Sequence, residues 1–263
     1  MYTHGHDEPV LRSHRARTVE NSAAYLIPHL RTGLTVLDVG CGPGTITVGL
    51  AEQVAPGTVT AVDSAPVALE VTAGIAADRR IANVQVALAD VGALEYDDDS
   101  FDIVHAHQVL QHVVDPVRAL QEMRRVCKPE GLVAARDADY QAMTWYPELA
   151  ALDEWRALYL RVARFNGGEP DAGRRLLGWA RAAGFTDIVC SASAWCFADA
   201  TERSWWSETW SARVRSAALT GHALAAGWVT PDEVEAMSEG WRTWGAAQDG
   251  WFAVLHGEIL CRP

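Results

Sequence analysis

Val36-Leu37-Asp38-Val39-Gly40-Cys41-Gly42-Pro43-Gly44-Thr45 is the stretch whose reading decides the fold. Strand-forming residues here deliver an acid and alternating glycines into a helical pattern that runs from about Thr45 to Val54. Glycine permits the tight turn, bares the main chain to a ligand and lets helix and strand pack closely. The free N–H groups at the helix start favour an anionic group such as a carboxylate or a phosphate. The run therefore reads as a nucleotide-cofactor loop.

Its spacing narrows the cofactor. Gly40, Gly42 and Gly44 give Gly-x-Gly-x-Gly, with Thr45 where a dinucleotide fingerprint places its last glycine. No Gly-Lys-Ser/Thr follows, which excludes a Walker A loop. Asp38 would repel a pyrophosphate at close range and suits a ligand that carries an amine. S-adenosylmethionine, with an ammonium, a carboxylate and a sulfonium, matches one acid and one helix N-terminus at its methionine end.

Two further acids follow strands. Thr58 to Asp63 is a short β-branched run, and Asp63 is placed to accept both ribose hydroxyls, with Ser64 beside it. Val84 to Ala89 makes a third strand ending at Asp90, where the acid and the Val91 N–H suit the adenine amine and a ring nitrogen. Each acid alone reads equally as a solvated turn residue. Their succession after consecutive strands is what singles them out.

These pieces resemble the class I S-adenosylmethionine-dependent methyltransferases, of the ubiquinone/menaquinone-type branch. The resemblance rests on Val36 to Gly44, Ala61-Val62-Asp63, Ala89-Asp90-Val91, Asp99 to Val104, Leu110 to Pro116 and Arg124 to Gly131. It covers about the first half of the chain, in the expected order. It implies a Rossmann-like, seven-stranded, mostly parallel α/β sheet with the last strand antiparallel, helices on both faces and helical lid insertions. It also implies S-adenosylmethionine as cofactor and S-adenosylhomocysteine as product, held by Asp38, Gly40, Cys41, Gly42, Gly44, Thr45, Asp63, Ser64, Asp90, Val91, His105 and Gln108. It names no substrate, although quinone-like or polyketide-like acceptors are the analogy within that branch. Val104-His105-Ala106-His107 stands where an Asn-Pro-Pro-Tyr would, so amino-group chemistry of the nucleic-acid and glutamine N-methyltransferase kind loses its support.

Strands alternating with helices demand a parallel sheet with right-handed crossovers. The pattern gives a helix over Ser13 to Leu30, strands at Phe101 to Ala106 and Leu132 to Arg136, and a helix over Pro116 to Cys127. Helices follow at Pro147 to Phe165, at Pro170 to Ala183 with Gly184 closing it, and over Thr201 to Gln248. Strands at Phe185 to Phe197 and Trp251 to Cys261 complete the set. The organisation expected is an N-terminal helical cap (1–32), a cofactor core (33–140) and a Trp-rich lid with the last two strands (141–263), all one domain.

Composition bounds the function. The 263 residues carry a formal charge of -12, which disfavours nucleic acid, whose binding rests on neutralised phosphates. No apolar run has membrane-spanning length, and Met1 to Glu8 lacks a signal-peptide core, so a cytoplasmic enzyme acting on a small molecule, of the secondary-metabolism kind, is expected. The 5 cysteines contain no Cys-x-x-Cys and read as reduced thiols. The sequence leaves the oligomeric state open, a homodimer included. All 11 tryptophans fall after the fifth strand, as an aromatic chamber for a planar or apolar substrate or as the lid's own packing.

Methyl transfer from a sulfonium needs alignment, exclusion of water and, for a hydroxyl or carbon acid, a base. His107 and Asp137 are the candidates, at the ends of strands four and five, the rivals being a structural histidine and a helix cap or an ion pair with Arg136. Tyr2, His4, His6, His112, Tyr140 and Trp145 are the expected substrate contacts, with Tyr25 a further pocket closer. Two His-x-His runs lack a third ligand at metal-site spacing, and no metal is expected. A nicotinamide oxidoreductase and a non-catalytic S-adenosylmethionine-binding protein remain as alternatives.

Overall fold

The computed structural model describes residues 16–263. It divides into two compact units. One runs through Ala138 and adds Ala172–Ser193 and His256–Pro263; the other comprises Asp139–Asp171 and Ala194–Leu255.

The first unit is an α/β sheet. Strands β1 (Val36–Val39), β2 (Val59–Asp63), β3 (Val84–Leu88), β4 (Phe101–His107) and β5 (Cys127–Ala138) pair in the order β3-β2-β1-β4-β5, all parallel. The closing half of β8 (Trp251–Arg262) then runs antiparallel against β5, from Ala138 opposite His256 to Val133 opposite Cys261. Strand β7 (Asp187–Phe197) pairs with β8. The reversal at the last strand is the one expected. Helices α2 (Thr45–Val54), α3 (Pro66–Asp78), α4 (Pro116–Val126) and α6 (Leu176–Ala182) make the crossovers and flanks. Local chemistry sets their ends: Asp115 caps α4 by accepting the Arg118 N–H, with Pro116 at the first turn, where its missing N–H costs nothing. Gly184, at φ +94, ends the segment after α6.

The N-terminal helix expected over Ser13 to Leu30 is not continuous in its described part. Only α1 (Val19–Ser22) and a 3-10 turn at Ile27–His29 form. A reciprocal Thr18/Asn21 capping box starts the helix at Val19, and Pro28 has no N–H to continue one. Apolar spacing favoured a helix there, but the polar capping residues and the proline prevailed.

The two faces of the sheet differ. Leu37, Val39, Val104, Ala106, Val133, Ala135, Ile259 and Cys261 share one apolar core with α4 and α6. On the other face, Val36, Ile103, Leu132 and Leu260 pack with Val19, Leu26 and Leu50 at the amino ends of the parallel strands. Two residues further along that face the side chains turn titratable. Register puts Asp38 beside His105, His107 beside Arg136 and Arg136 beside Glu258, and Asp38, His105, His107, Arg136, His256 and Glu258 are all buried.

The second unit is helical: α5 (Ala150–Phe165), α7 (Ala200–Val214), α8 (Ala217–Ala225) and α9 (Pro231–Ala246), with β6 (Thr144–Tyr146) paired to Trp251–Ala253 at the start of β8. Trp155, Trp210, Trp241 and Trp244 are fully buried with Tyr159 and Phe252. Trp155 meets Trp210 and Trp241 edge to face at 4.5 and 4.8 Å between centroids, and Trp210 stacks on Trp241. Trp206 is buried as well, stacked on Phe197. Their function here is packing. Among the described residues, no helix is long and apolar enough to cross a membrane.

Candidate active site

The glycine loop closes over β1 with every glycine in the left-handed region, Gly40, Gly42 and Gly44 at φ 65, 55 and 80. A Cβ on Gly44 would lie 2.6 Å from Thr72 Cγ2 and 2.9 Å from its Cα, so α3 packs against bare main chain. A Cβ on Gly42 would meet nothing within 4 Å: this is the side of the loop open to a ligand. Gly44, which has no side chain, is the N-cap of α2, and the partial positive charge of that helix start, at half-buried Thr45, favours an anion. Asp63, at the end of β2, accepts the Gly42 N–H at 3.0 Å and the Ala65 N–H at 2.9 Å and stays half-exposed beside exposed Ser64. Asp90 is exposed, folds back to accept the Gly92 N–H at 2.8 Å, and precedes half-buried Val91. An uncapped helix start, a loop face without side chains and a half-exposed carboxylate fit a cofactor with a carboxylate and a ribose.

Asp38 has a different setting. Its Oδ2 accepts the Thr47 hydroxyl at 2.6 Å and its Oδ1 faces His105 Nδ1 at 2.8 Å, all buried. The contact ties β1 to β4 at the register position that pairs the two residues. His105 Nε2 is buried and has no hydrogen-bond partner among the described residues. Cys41 is buried nearby with Sγ 3.6 Å from Thr72 Oγ1, and burial, reinforced by Asp38, pushes its thiol well up, so it is inert packing.

At the ends of β4 and β5 the buried groups form a chain. Gln108 takes a left-handed conformation, φ 55, rare outside glycine. Its N–H donates to Arg136 O at 2.7 Å, its Oε1 accepts from Arg17 at 2.8 Å, and its Nε2 faces His256 Nε2 at 2.9 Å. With the amide oxygen on Arg17, the amide NH2 donates and His256 Nε2 accepts. His107 lies 6.3 Å from His256 between stacked ring centroids. Burial, then the positive charges of Arg17 and Arg136, hold its imidazole well below the ordinary range, hence neutral. Arg136 does not pair with Asp137; its Nε donates to Glu258 Oε1 at 3.2 Å and to Ser193 Oγ at 3.1 Å, and Ser191 and Ser193 donate to the same carboxylate. Burial brings the guanidinium down to about 10.

Asp137 is fully buried. Its Oδ1 accepts the Gln111 N–H at 3.0 Å, within the 3-10 turn Leu110–His112, while its Oδ2 has no partner among the described residues. Burial, only partly offset by the backbone N–H groups of Gln111 and Leu110, raises its carboxyl to about 7. The acid therefore exchanges its proton near neutrality, as a general base must. His112 Nε2 accepts from Gln111 Nε2 at 2.9 Å, within that same turn.

The structure brings His105, His107, Gln108, His112 and Asp137 to the carboxyl ends of β4 and β5. Tyr140 and Trp145 lie in the helical unit, where Tyr140 stacks on Tyr159 at 4.0 Å and Trp145 on Phe252 at 5.5 Å, with Arg156 over the Trp145 ring. Tyr2, His4 and His6 fall outside the described residues. Sequence reading missed His256 and Glu258, although their alternation in an otherwise apolar strand marks them as sharing a face. Among the described residues no group of His, Cys, Asp and Glu could hold a metal ion.

Such a loop, followed by acids at successive strand ends and a reversed last strand, defines a nucleoside-binding transferase fold. Residues 30–181 match the family described as a methyltransferase domain. An uncharacterised methyltransferase of Schizosaccharomyces pombe is 36% identical over 272 residues, covering 98% of this chain and 95% of that one. A probable methyltransferase of Aspergillus luteorubrus is 30% identical over 287 residues, covering 98% and 96%. Among solved structures, the Haemonchus contortus phosphoethanolamine N-methyltransferase 2, complexed with phosphomonomethylethanolamine and S-adenosylhomocysteine, superposes at TM-score 0.57 with 19% identity, over 92% of this chain and 52% of that one. The chain belongs to the class I S-adenosylmethionine-dependent methyltransferases, with S-adenosylmethionine as its cofactor. The nicotinamide oxidoreductase reading falls with this assignment.

Proposed function

We propose that the enzyme methylates a small aromatic or apolar metabolite at carbon or oxygen, in the cytoplasm and in secondary metabolism, without nucleic-acid or membrane partners. The observation that supports this is the set of buried titratable groups at the carboxyl ends of β4 and β5, with His107 and Arg136 on one face of the sheet and Asp137 on the other. His107, held well below the ordinary imidazole range, stays neutral there, and Asp137, raised to about 7, can take a proton from a hydroxyl or a carbon acid near neutral pH. An amine acceptor needs no base once it is unprotonated, and a carboxylate substrate would find Glu258 and Asp38 already on the face of His107.

Bound S-adenosylmethionine supplies the electrophilic methyl group. Asp63 would hold its ribose hydroxyls, Asp90 and the Val91 N–H its adenine, and the first turn of α2 its carboxylate. Asp137 would receive the acceptor's proton, and the burial that raises its carboxyl also keeps water from competing. The test is methyl transfer from labelled S-adenosylmethionine to a panel of phenols, hydroquinones, β-dicarbonyls, amines and carboxylic acids, with the labelled atom located by NMR. Turnover of phenols, hydroquinones or β-dicarbonyls is expected. Turnover confined to amines or acids would overturn the reading.

A further inference from the structure

The strands at the margins of the sheet are guarded unequally. β3 is only 5 residues long, and β6 has 3 and is followed at once by Pro147. Shortness and an adjacent proline are two of the devices that keep a strand edge from pairing with another chain. β7 has neither: it runs for 11 residues, and among the described residues its one strand partner is β8. Its opening stretch, Asp187–Ser193, belongs to the sheet unit. There Val189, Cys190, Ser191 and Ala192 are exposed in succession, so neither face of the strand is covered, and Val189 keeps 60% of its surface. The row of N–H and C=O groups turned away from β8 is therefore open. No charge and no proline stands between Asp187 and Asp199, and Asp187 itself pairs with Arg262 at 3.5 Å. Ser191 and Ser193 turn their hydroxyls to Glu258, so the polar side chains of the stretch are engaged within their own chain.

We propose that Asp187–Ser193 pairs, antiparallel, with the same stretch of a second copy of the chain, so that the sheet continues across a two-fold axis in a homodimer. Charge selects this occupant. A chain of formal charge -12 repels its own copies wherever acids are exposed, and this uncharged stretch is a place where two copies meet without like charges opposed. The same lack of charge gives a basic or an acidic peptide nothing to be steered by. Symmetry agrees. An edge that pairs with itself uses up both free edges at once, so assembly closes at two copies, whereas head-to-tail addition would propagate. A two-fold axis normal to the sheet also keeps the faces in common, which brings Val189 and Ser191 of the two copies together on one side and Cys190 and Ala192 on the other. A junction of this length is small against the ~1,200–2,000 Å² of a tight interface, so the dimer is a micromolar one that comes apart on dilution.

The pairing is independent of which acceptor the enzyme methylates. The experiment is sedimentation of the full chain over a dilution series, with hydrogen exchange followed on the peptides that cover Asp187–Ser193. It compares the parent with the double variant Val189→Lys/Ala192→Lys, which sets a charge on each face of the edge. The concentrated parent is expected at about twice the 28.6 kDa of one chain, falling to that single mass through the micromolar range. Its Asp187–Ser193 amides should exchange about tenfold faster once dilute. The variant should be a monomer throughout, with fast exchange at every concentration. Both replaced side chains are exposed, so the variant should still bind S-adenosylhomocysteine as the parent does. If it does not fold, the concentration dependence of exchange in the parent decides. A parent that is always monomeric, a dimer that the lysines leave intact, or a dimer whose Asp187–Ser193 amides exchange as fast as the monomer's would each overturn the pairing. Protection of these amides in the monomer would do so too, because another segment of the same chain would then lie along the edge.

Discussion

Where the sheet unit buries Asp38, His105, His107, Arg136, Asp137 and Glu258, the helical unit buries Trp155, Trp210, Trp241 and Trp244. Both interiors hold polar atoms, but they treat them differently. In the sheet unit the buried groups are titratable and many meet in specific bonds, such as Asp38 to Thr47 and His105, or Arg136 to Glu258 and Ser193. In the helical unit the indole N–H groups of Trp155, Trp206, Trp210 and Trp241 find no acceptor among the described residues, and Trp155 meets Trp210 and Trp241 edge to face. An indole hydrogen against a ring face recovers part of a hydrogen bond, so aromatic packing tolerates this. The difference separates a core chosen for volume from an interior chosen for charge and proton traffic. Substitutions of opposite kinds should expose it.

The largest effect is expected in the aromatic core. Trp155→Ala removes the ring that touches Trp210 and Trp241, and urea unfolding should show a loss of ~3–5 kcal/mol, with Trp155→Phe recovering much of it. A loss below ~1 kcal/mol would mean that the rings do not make this core.

Next is the proton on Asp137. Its folded pKa of about 7 lies above its ordinary value, so the folded chain holds a proton that the unfolded chain releases. The stability this contributes is fully present below about pH 4 and is lost as pH rises through about 7. Asp137→Asn has no such proton, so the parent should lose up to ~4 kcal/mol relative to the variant across that window. Parallel stability curves for the two proteins would remove Asp137 as a group that titrates near neutrality.

Smaller effects are expected at the cofactor loop, read by calorimetric titration with S-adenosylmethionine. Asp63→Ala should weaken binding about a hundredfold, since it deletes both the ribose acceptor and the carboxylate that fixes the Gly42 N–H. Unchanged affinity would make the ribose assignment wrong. Gly42→Ala should cost only ~1–2 kcal/mol of fold stability, because the added carbon meets no protein atom and pays only for its left-handed backbone. Its cofactor affinity should drop nonetheless. If Gly42→Ala binds as the parent does, the open side of the loop faces something other than the ligand.

The sheet was legible because its signals are local: β-branched runs, a glycine loop of unusual spacing, and acids just past strand ends. Trp251 to Cys261 was readable as a strand for the same reason, and family likeness placed it antiparallel beside β5. The N-terminal helix was misread because apolar periodicity outweighed Thr18, Asn21 and Pro28. The buried face was beyond local reading. Asp38 and His105 are 67 positions apart and meet only through the β1/β4 register, and Arg136 meets Glu258 through the β5/β8 register. Asp137 was singled out, but its partners were not foreseen, since the N–H groups it accepts belong to a turn after β4 rather than to its own strand.

Gln108 shows what this arrangement asks of evolution. A glycine at that position would relieve a left-handed backbone worth roughly 1 kcal/mol and keep the N–H bond to Arg136 O. It would also cut the side chain that joins Arg17 to His256. A buried partner left unsatisfied costs about 1–3 kcal/mol, more than the strain relieved, so the glutamine accepts a little backbone strain to lace the segment before β1 to the last strand.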